Sequence, residues 1–90
     1  MVKTVHLIIR GRVQGVFYRA SAKEVALKSR LTGWVRNTKT GDVEIVATGE
    51  DEDLNRFIKW CETGPSKARV EEVTVTDKSF SPFDSFEIRR

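Results

Sequence analysis

The sequence predicts an α+β domain in which an antiparallel β-sheet carries two helices on one face. Alternating and helical hydrophobic patterns follow one another in the order strand, helix, strand, strand, helix, strand, with a short strand at the end. This order (βαββαβ plus a short C-terminal strand) is that of the split βαβ architecture, which is called ferredoxin-like. Ninety residues without an internal repeat suffice for one core, so we expect a single domain over residues 1–90.

The first strand and the first helix flank a loop that contains two glycines. Apolar residues alternate with others from Thr4 to Arg10, which is the period of a strand. After the loop, one helical face collects Tyr18, Ala22, Val25, Ala26 and Ser29. We expect this helix to end near Leu31, with Gly33 leaving it in a left-handed conformation.

The second half of the chain repeats the pattern with a hairpin in front. Residues 33–37 and 43–48 form its two strands around a turn that contains Gly41. Acidic residues at 50–53 cap the second helix rather than bind a metal, and its apolar series ends at Cys61. Gly64 and Pro65 stop that helix, residues 70–76 form a strand, and residues 86–89 form the last short strand.

The loop between the first strand and the first helix has the features of an anion site. Gly11 and Gly15 allow the backbone to turn its N–H groups into one concavity, the following helix adds the positive end of its dipole, and Arg19 adds a fork of donors. The spacing matches neither the Walker loop nor the dinucleotide glycine motif. An ordinary glycine-containing connection with a solvated arginine remains open at this point.

The composition excludes several kinds of chemistry. One histidine and one cysteine cannot form a disulfide or a Cys/His zinc set, and we expect His6 to be a half-exposed sheet residue and Cys61 a buried core thiol. The net charge of +3 is spread along the chain, which favours a small anion over nucleic acid. No segment has the length or hydropathy of a membrane span or a secretory signal, so we expect a cytoplasmic protein.

Two long segments give the chain a family resemblance. Gly-Arg-Val-Gln-Gly-Val-Phe-Tyr-Arg at 11–19 and Gly-Trp-Val-Arg-Asn at 33–37 resemble the signature segments of acylphosphatases. The similarity continues at Gly41-Asp42-Val43-Glu44, Gly49, Cys61, Gly64-Pro65, Ala68-x-Val70 and Phe86-x-Ile88. It covers essentially the whole chain, and two long motifs in order are far more specific than a single glycine motif.

The resemblance implies a metal-independent enzyme without a cofactor, which hydrolyses the carboxyl-phosphate bond of acyl phosphates to a carboxylate and inorganic phosphate. By motif position Arg19 binds the phosphate and Asn37 orients the attacking water. The phosphate-binding loop maps onto Arg12, Val13, Gln14, Gly15 and Val16. The implied partners are a small acyl phosphate and inorganic phosphate or a similar anion as product or inhibitor, and we expect a monomer.

Two alternatives are binding modules rather than enzymes. A ferredoxin-like domain can bind RNA on its sheet, but neither the first nor the third strand has the aromatic-rich RNP signature. A domain that binds acyl phosphates without turnover is the other alternative. The presence of both Arg19 and Asn37 favours an enzyme.

Overall fold

The predicted order of elements is confirmed by the structure, a computed structural model that describes all 90 residues. Its seven elements are β1 (Val2–Arg12), α1 (Tyr18–Lys28), β2 (Thr32–Asn37), β3 (Val43–Glu50), α2 (Asp51–Cys61), β4 (Arg69–Lys78) and β5 (Phe86–Ile88). The strands β1 to β4 extend one or more residues beyond the hydrophobic pattern because backbone pairing continues past the last buried side chain, whereas β5 ends one residue before the predicted 89. The fold is α+β and ferredoxin-like, as the sequence predicts.

The five strands form one sheet in the order β4-β1-β3-β2-β5. The four longer strands pair antiparallel, whereas β5 pairs parallel with β2. The fully antiparallel sheet expected from the sequence therefore holds for these four strands only. The reason lies in the connection, since the chain leaves β4 at one edge and crosses to the opposite edge before it forms β5.

The core lies between the sheet and the two helices. Val5, Leu7 and Ile9 alternate along β1 and point toward the helices, where they join one cluster of 16 buried residues. The buried Tyr18 hydroxyl donates a hydrogen bond of 2.8 Å to the backbone carbonyl of Cys61, which joins the start of α1 to the end of α2. Such a bond contributes about 1 kcal/mol, and its larger effect here is to fix the first turn of α1.

The cysteine and histidine occupy the positions that the sequence predicts. Cys61 is fully buried in the core, and burial raises the pKa of its thiol to about 12. His6 is half-buried on the sheet face opposite the helices, where its Nε2 lies 2.7 Å from an oxygen of Glu44. Burial opposes ionisation of Glu44, but hydrogen bonds from His6 and Arg36 outweigh that cost and hold the pKa of the carboxyl below its usual value.

The end of α1 differs from the prediction. The helix stops at Lys28, and Arg30 rather than Gly33 adopts the left-handed conformation, with φ of 63°. Gly33 instead belongs to β2, with φ of 138°, and a Cβ atom there would overlap the carbonyl oxygen of Val46 on β3. The glycine is therefore needed for close approach of two strands.

Both helices have 11 residues, and neither could span a membrane.

Substitution of Gly33 by alanine should test this close approach, with Gly41→Ala as the matched control. Both glycines have positive φ, but a Cβ at Gly41 would meet nothing within 4 Å. We expect Gly33→Ala to lower the free energy of unfolding by about 2 kcal/mol more than Gly41→Ala, as measured by urea denaturation. Equal losses would mean that β2 and β3 separate at little cost.

Candidate active site

The loop from Val13 to Phe17 connects β1 to α1. Two of its residues have a left-handed backbone conformation, which turns the chain toward the helix. Gly15 has φ of 75°, and Phe17 has φ of 65° and ψ of 24°. Glycine adopts this conformation without strain, whereas for an aromatic residue it costs on the order of 1–2 kcal/mol. Phe17 therefore holds a strained backbone immediately before the first residue of α1.

Gln14 ties this loop to the neighbouring hairpin. Its side-chain Nε2 donates hydrogen bonds to the backbone carbonyls of Thr38, at 2.9 Å, and Asp42, at 2.8 Å. These two residues belong to the turn between β2 and β3, and Thr38 directly follows Asn37. A side chain from the loop thus fixes the distance between the loop and the end of β2.

The N-terminus of α1 has no capping group from the protein. No side chain caps it, and its first turn contains no acidic residue. The first turn of α2 also lacks a side-chain capping hydrogen bond, but in contrast it contains Asp51, Glu52 and Asp53, whose charges favour a helix start. The capping predicted for residues 50–53 is therefore present only as charge near the helix start. The first backbone N–H groups of any helix lack intrahelical acceptors, so the start of α1 is a region of positive potential that an anion can occupy.

Arg19 adds a full positive charge at the same place. It lies in the first turn of α1, is half-buried, and takes part in none of the ion pairs of the chain. Together with Val13, Gly15 and Asn37 it lines a pocket with a volume of about 420 Å³. A half-buried guanidinium without a carboxylate partner is free to bind an anion in this pocket.

Asn37 contributes a buried polar atom to the pocket. It is the last residue of β2 and pairs with Val43 on β3. Its Oδ1 is buried and has no hydrogen-bond partner within the protein. Buried polar atoms are usually paired, so an unpaired buried oxygen on a pocket-lining residue is unusual in a folded protein.

The structure brings some of the predicted residues together and leaves others outside the pocket lining. Val13, Gly15, Arg19 and Asn37 line it, whereas the side chain of Arg12 is exposed at the end of β1. Gln14 binds the hairpin turn, and the side chain of Val16 packs against the core. Whether the backbone N–H groups of Arg12, Gln14 and Val16 bind phosphate stays a prediction.

Five pocket residues were missed by sequence reasoning, namely Phe17, Tyr18, Ala20, Ile88 and Arg90. The one signal in the sequence was the run from Val16 to Tyr18, because three consecutive large apolar residues at a helix start cannot all face the core. Ile88 belongs to the Phe86-x-Ile88 segment of the family resemblance, but that segment did not indicate a site residue, and no signal indicated Arg90. Both residues reach the pocket because β5 pairs with β2 at the far edge of the sheet.

The pocket contains no group that could act as a strong acid or base near neutral pH. None of its side chains is a carboxylate, imidazole or thiol, and the buried Tyr18 phenol is hydrogen-bonded to a backbone carbonyl. Burial raises the pKa of that phenol above its ordinary value. What the pocket offers is positive potential, the guanidinium groups of Arg19 and Arg90, and one carboxamide. Fold and pocket together describe a small α+β domain whose pocket is suited to an anion.

Comparison with known proteins gives the family. The acylphosphatase family model matches residues 5–88. An acylphosphatase of Syntrophus aciditrophicus is 44% identical over 98% of this chain and 93% of its own length. Solved structures of acylphosphatases from Bacillus subtilis and Coxiella burnetii have TM-scores of 0.95 with this fold, at 34% and 36% identity. The match to the Bacillus subtilis structure covers both chains completely. The match to the Coxiella burnetii structure covers 98% of this chain and 93% of the Coxiella burnetii chain.

The chain belongs to the acylphosphatase family, and the resemblance seen in the two signature segments is confirmed. It is an enzyme that hydrolyses acyl phosphates, as its sequence predicts. The comparisons favour this activity over the two kinds of binding module, for RNA and for acyl phosphates without turnover.

Removal of the Gln14 side chain should separate the loop from the end of β2. We expect Gln14→Ala to lower kcat/KM for benzoyl phosphate by at least about tenfold and the free energy of unfolding by about 1–2 kcal/mol, because two hydrogen bonds are lost. Steady-state hydrolysis assays measure kcat/KM, and urea denaturation measures the free energy of unfolding.

The control is Thr40→Ala, since Thr40 bonds only within the hairpin turn, to Thr38 and Asp42. This variant should retain kcat/KM within about twofold, because it removes only hydrogen bonds at an exposed position of the turn and leaves the contacts of Gln14 in place. Full activity of Gln14→Ala would show that the loop holds its position without this contact.

Proposed function

We propose that the pocket at the start of α1 is the site of acyl phosphate hydrolysis, with Arg19 and Asn37 as its catalytic residues. The observation that carries the proposal is their convergence in one pocket, where an unpaired guanidinium meets a helix start without a cap and a buried oxygen without a partner. Any one of these groups alone would not define a site. Their combination has the donors for a phosphoryl group and an acceptor for a water molecule.

The phosphoryl group binds at the N-terminus of α1. Arg19 donates two N–H groups in a fork to two phosphoryl oxygens, a geometry that the single ammonium of lysine cannot reproduce. The backbone N–H groups of the loop, from Arg12 through Val16, and the first turn of α1 complete the binding site. These donors surround the equatorial oxygens, where the charge of the loose transition state lies.

Asn37 orients the attacking water. Its carboxamide accepts a hydrogen bond through the buried Oδ1 and donates through Nδ2, so it can hold a water molecule in line with the leaving oxygen. The water oxygen forms a bond to phosphorus, and the bond between phosphorus and the carboxylate oxygen breaks with its electron pair leaving on the carboxylate. The proton of the water passes to a phosphoryl oxygen, because no side chain of the pocket lining is a base.

The leaving group explains why this small set of residues suffices. A carboxylic acid has a pKa of roughly 4, so its carboxylate departs without protonation by a general acid. Positioning and electrostatic stabilisation then account for the catalysis, and neither His6 nor Cys61 is required. His6 is engaged with Glu44 on the opposite face of the sheet, and Cys61 is buried in the core.

The same reasoning supports further features of the enzyme. We propose that residues 1–90 act as one catalytic domain, that the enzyme needs no metal or cofactor, and that inorganic phosphate inhibits it as the product. We also propose a cytoplasmic monomer that does not bind nucleic acid. One continuous core, a free buried thiol and the dispersed charge support these features. Sedimentation equilibrium that gave a dimer mass would contradict the monomer.

Replacement of Arg19 by lysine tests the phosphate-binding role. We expect wild-type protein to hydrolyse benzoyl phosphate in the presence of EDTA, and Arg19→Lys to lose at least about 10²-fold in kcat/KM because the fork is lost. Arg56→Lys, on the exposed surface of α2, is the control and should retain wild-type kinetics. Near wild-type efficiency of Arg19→Lys would exclude the proposed fork.

Replacement of Asn37 by alanine tests the water-orienting role. We expect kcat for benzoyl phosphate to fall by on the order of 10²-fold, while the inhibition constant of inorganic phosphate changes by less than about threefold. The control is Asn55→Ala, at an exposed position on α2. A parallel loss of phosphate affinity would make Asn37 a binding or structural residue instead.

A further inference from the structure

One wall of the active-site pocket is apolar and partly open to solvent. Phe17, Ala20 and Ile88 form it, beside the polar end that contains Arg19 and Asn37. Phe17 is 74% exposed and Ile88 is 41% exposed. These three residues, the apolar wall, have no role in the phosphate chemistry proposed above.

Two different elements bring the wall to the catalytic residues. Phe17 and Ala20 flank Arg19 along the start of α1. Ile88 is in parallel register with Val35 on β2, so it points to the helix side of the sheet. Asn37 lies two residues after Val35 and therefore on that same face. The wall thus adjoins both catalytic residues.

The pocket is larger than a phosphoryl group requires. A phosphoryl group fills a volume on the order of two to three water molecules, at roughly 30 Å³ each. The pocket volume of about 420 Å³ therefore exceeds what a phosphoryl group fills, and the apolar wall lines part of the same pocket. Pockets for small organic ligands begin at roughly 300 Å³, so the remainder can take an organic group.

Phe17 combines two unfavourable features at this place. Its large apolar side chain is mostly exposed, and its backbone is in the strained left-handed region. Strain that persists beside a reactive site is a reason to look for a function of the strained residue. Here the conformation keeps the phenyl ring out of the core and at the rim of the pocket.

We propose that the apolar wall binds the acyl group of the substrate and makes apolar, in particular aromatic, acyl phosphates the preferred substrates. This inference rests on the proposed function of the pocket. An apolar acyl group covers exposed apolar surface of Phe17 and Ile88, which is favourable. A polar acyl group would lose its hydrogen bonds to water on binding, and the apolar side chains of the wall cannot replace them, which is unfavourable.

The test compares benzoyl phosphate with acetyl phosphate in wild-type protein and in Phe17→Ala and Ile88→Thr. We expect the ratio of the two kcat/KM values, benzoyl over acetyl, to fall about tenfold in Phe17→Ala and severalfold in Ile88→Thr. The difference in intrinsic reactivity of the two substrates cancels when ratios are compared between variants. The inhibition constant of inorganic phosphate should change by less than about twofold, since inorganic phosphate has no acyl group.

Phe80→Ala is the matched control, because Phe80 is also a largely exposed phenylalanine, at 61%, and does not line the pocket. An unchanged ratio in both wall variants would overturn the acyl-binding role, while loss of activity in Arg19→Lys would still support the proposed function. A wild-type preference for a dicarboxylic acyl phosphate, removed by Arg90→Ala, would overturn it as well. Wild-type protein that hydrolysed neither substrate would refute both proposals.

Discussion

The start of α1 concentrates positive potential that no protein group neutralises, and the surrounding structure keeps it in place. Arg19 has no carboxylate partner, and the N–H groups of the first turn have no capping side chain. Three contacts hold this arrangement. Tyr18 anchors the first turn to α2, Gln14 holds the preceding loop against the hairpin, and the sheet places Asn37 opposite.

This arrangement has a cost in folding stability. A missing helix cap typically costs about 1 kcal/mol, and the left-handed Phe17 costs a similar amount. The cost is tolerable because the rest of the domain is regular, with one continuous core and an acidic start of α2 that follows the usual preference. In the proposed site, a bound phosphoryl group would supply the missing cap. The enzyme would then give up intrinsic stability at the point where its substrate restores it.

Much of the fold and half of the site could be predicted from the sequence. Hydrophobic periodicity indicates the helices and strands because it records which side chains are buried, and the two signature segments indicate Arg19 and Asn37. Periodicity does not record which strands are neighbours or where backbones touch. The parallel pairing of β5, the close approach at Gly33, and the apolar wall with Ile88 depend on such long-range contacts. They could be obtained only from the three-dimensional arrangement.

The burial of Cys61 also makes the enzyme convenient for spectroscopy. The thiolate is the species that reacts with labelling reagents, and a thiol with a pKa near 12 supplies almost none of it at neutral pH. A cysteine introduced at an exposed position would therefore be the only reactive one in the chain. Thr40, at the tip of the turn that Gln14 holds, is such a position. A fluorophore attached there would report movement of the hairpin turn during turnover without removal of the native cysteine.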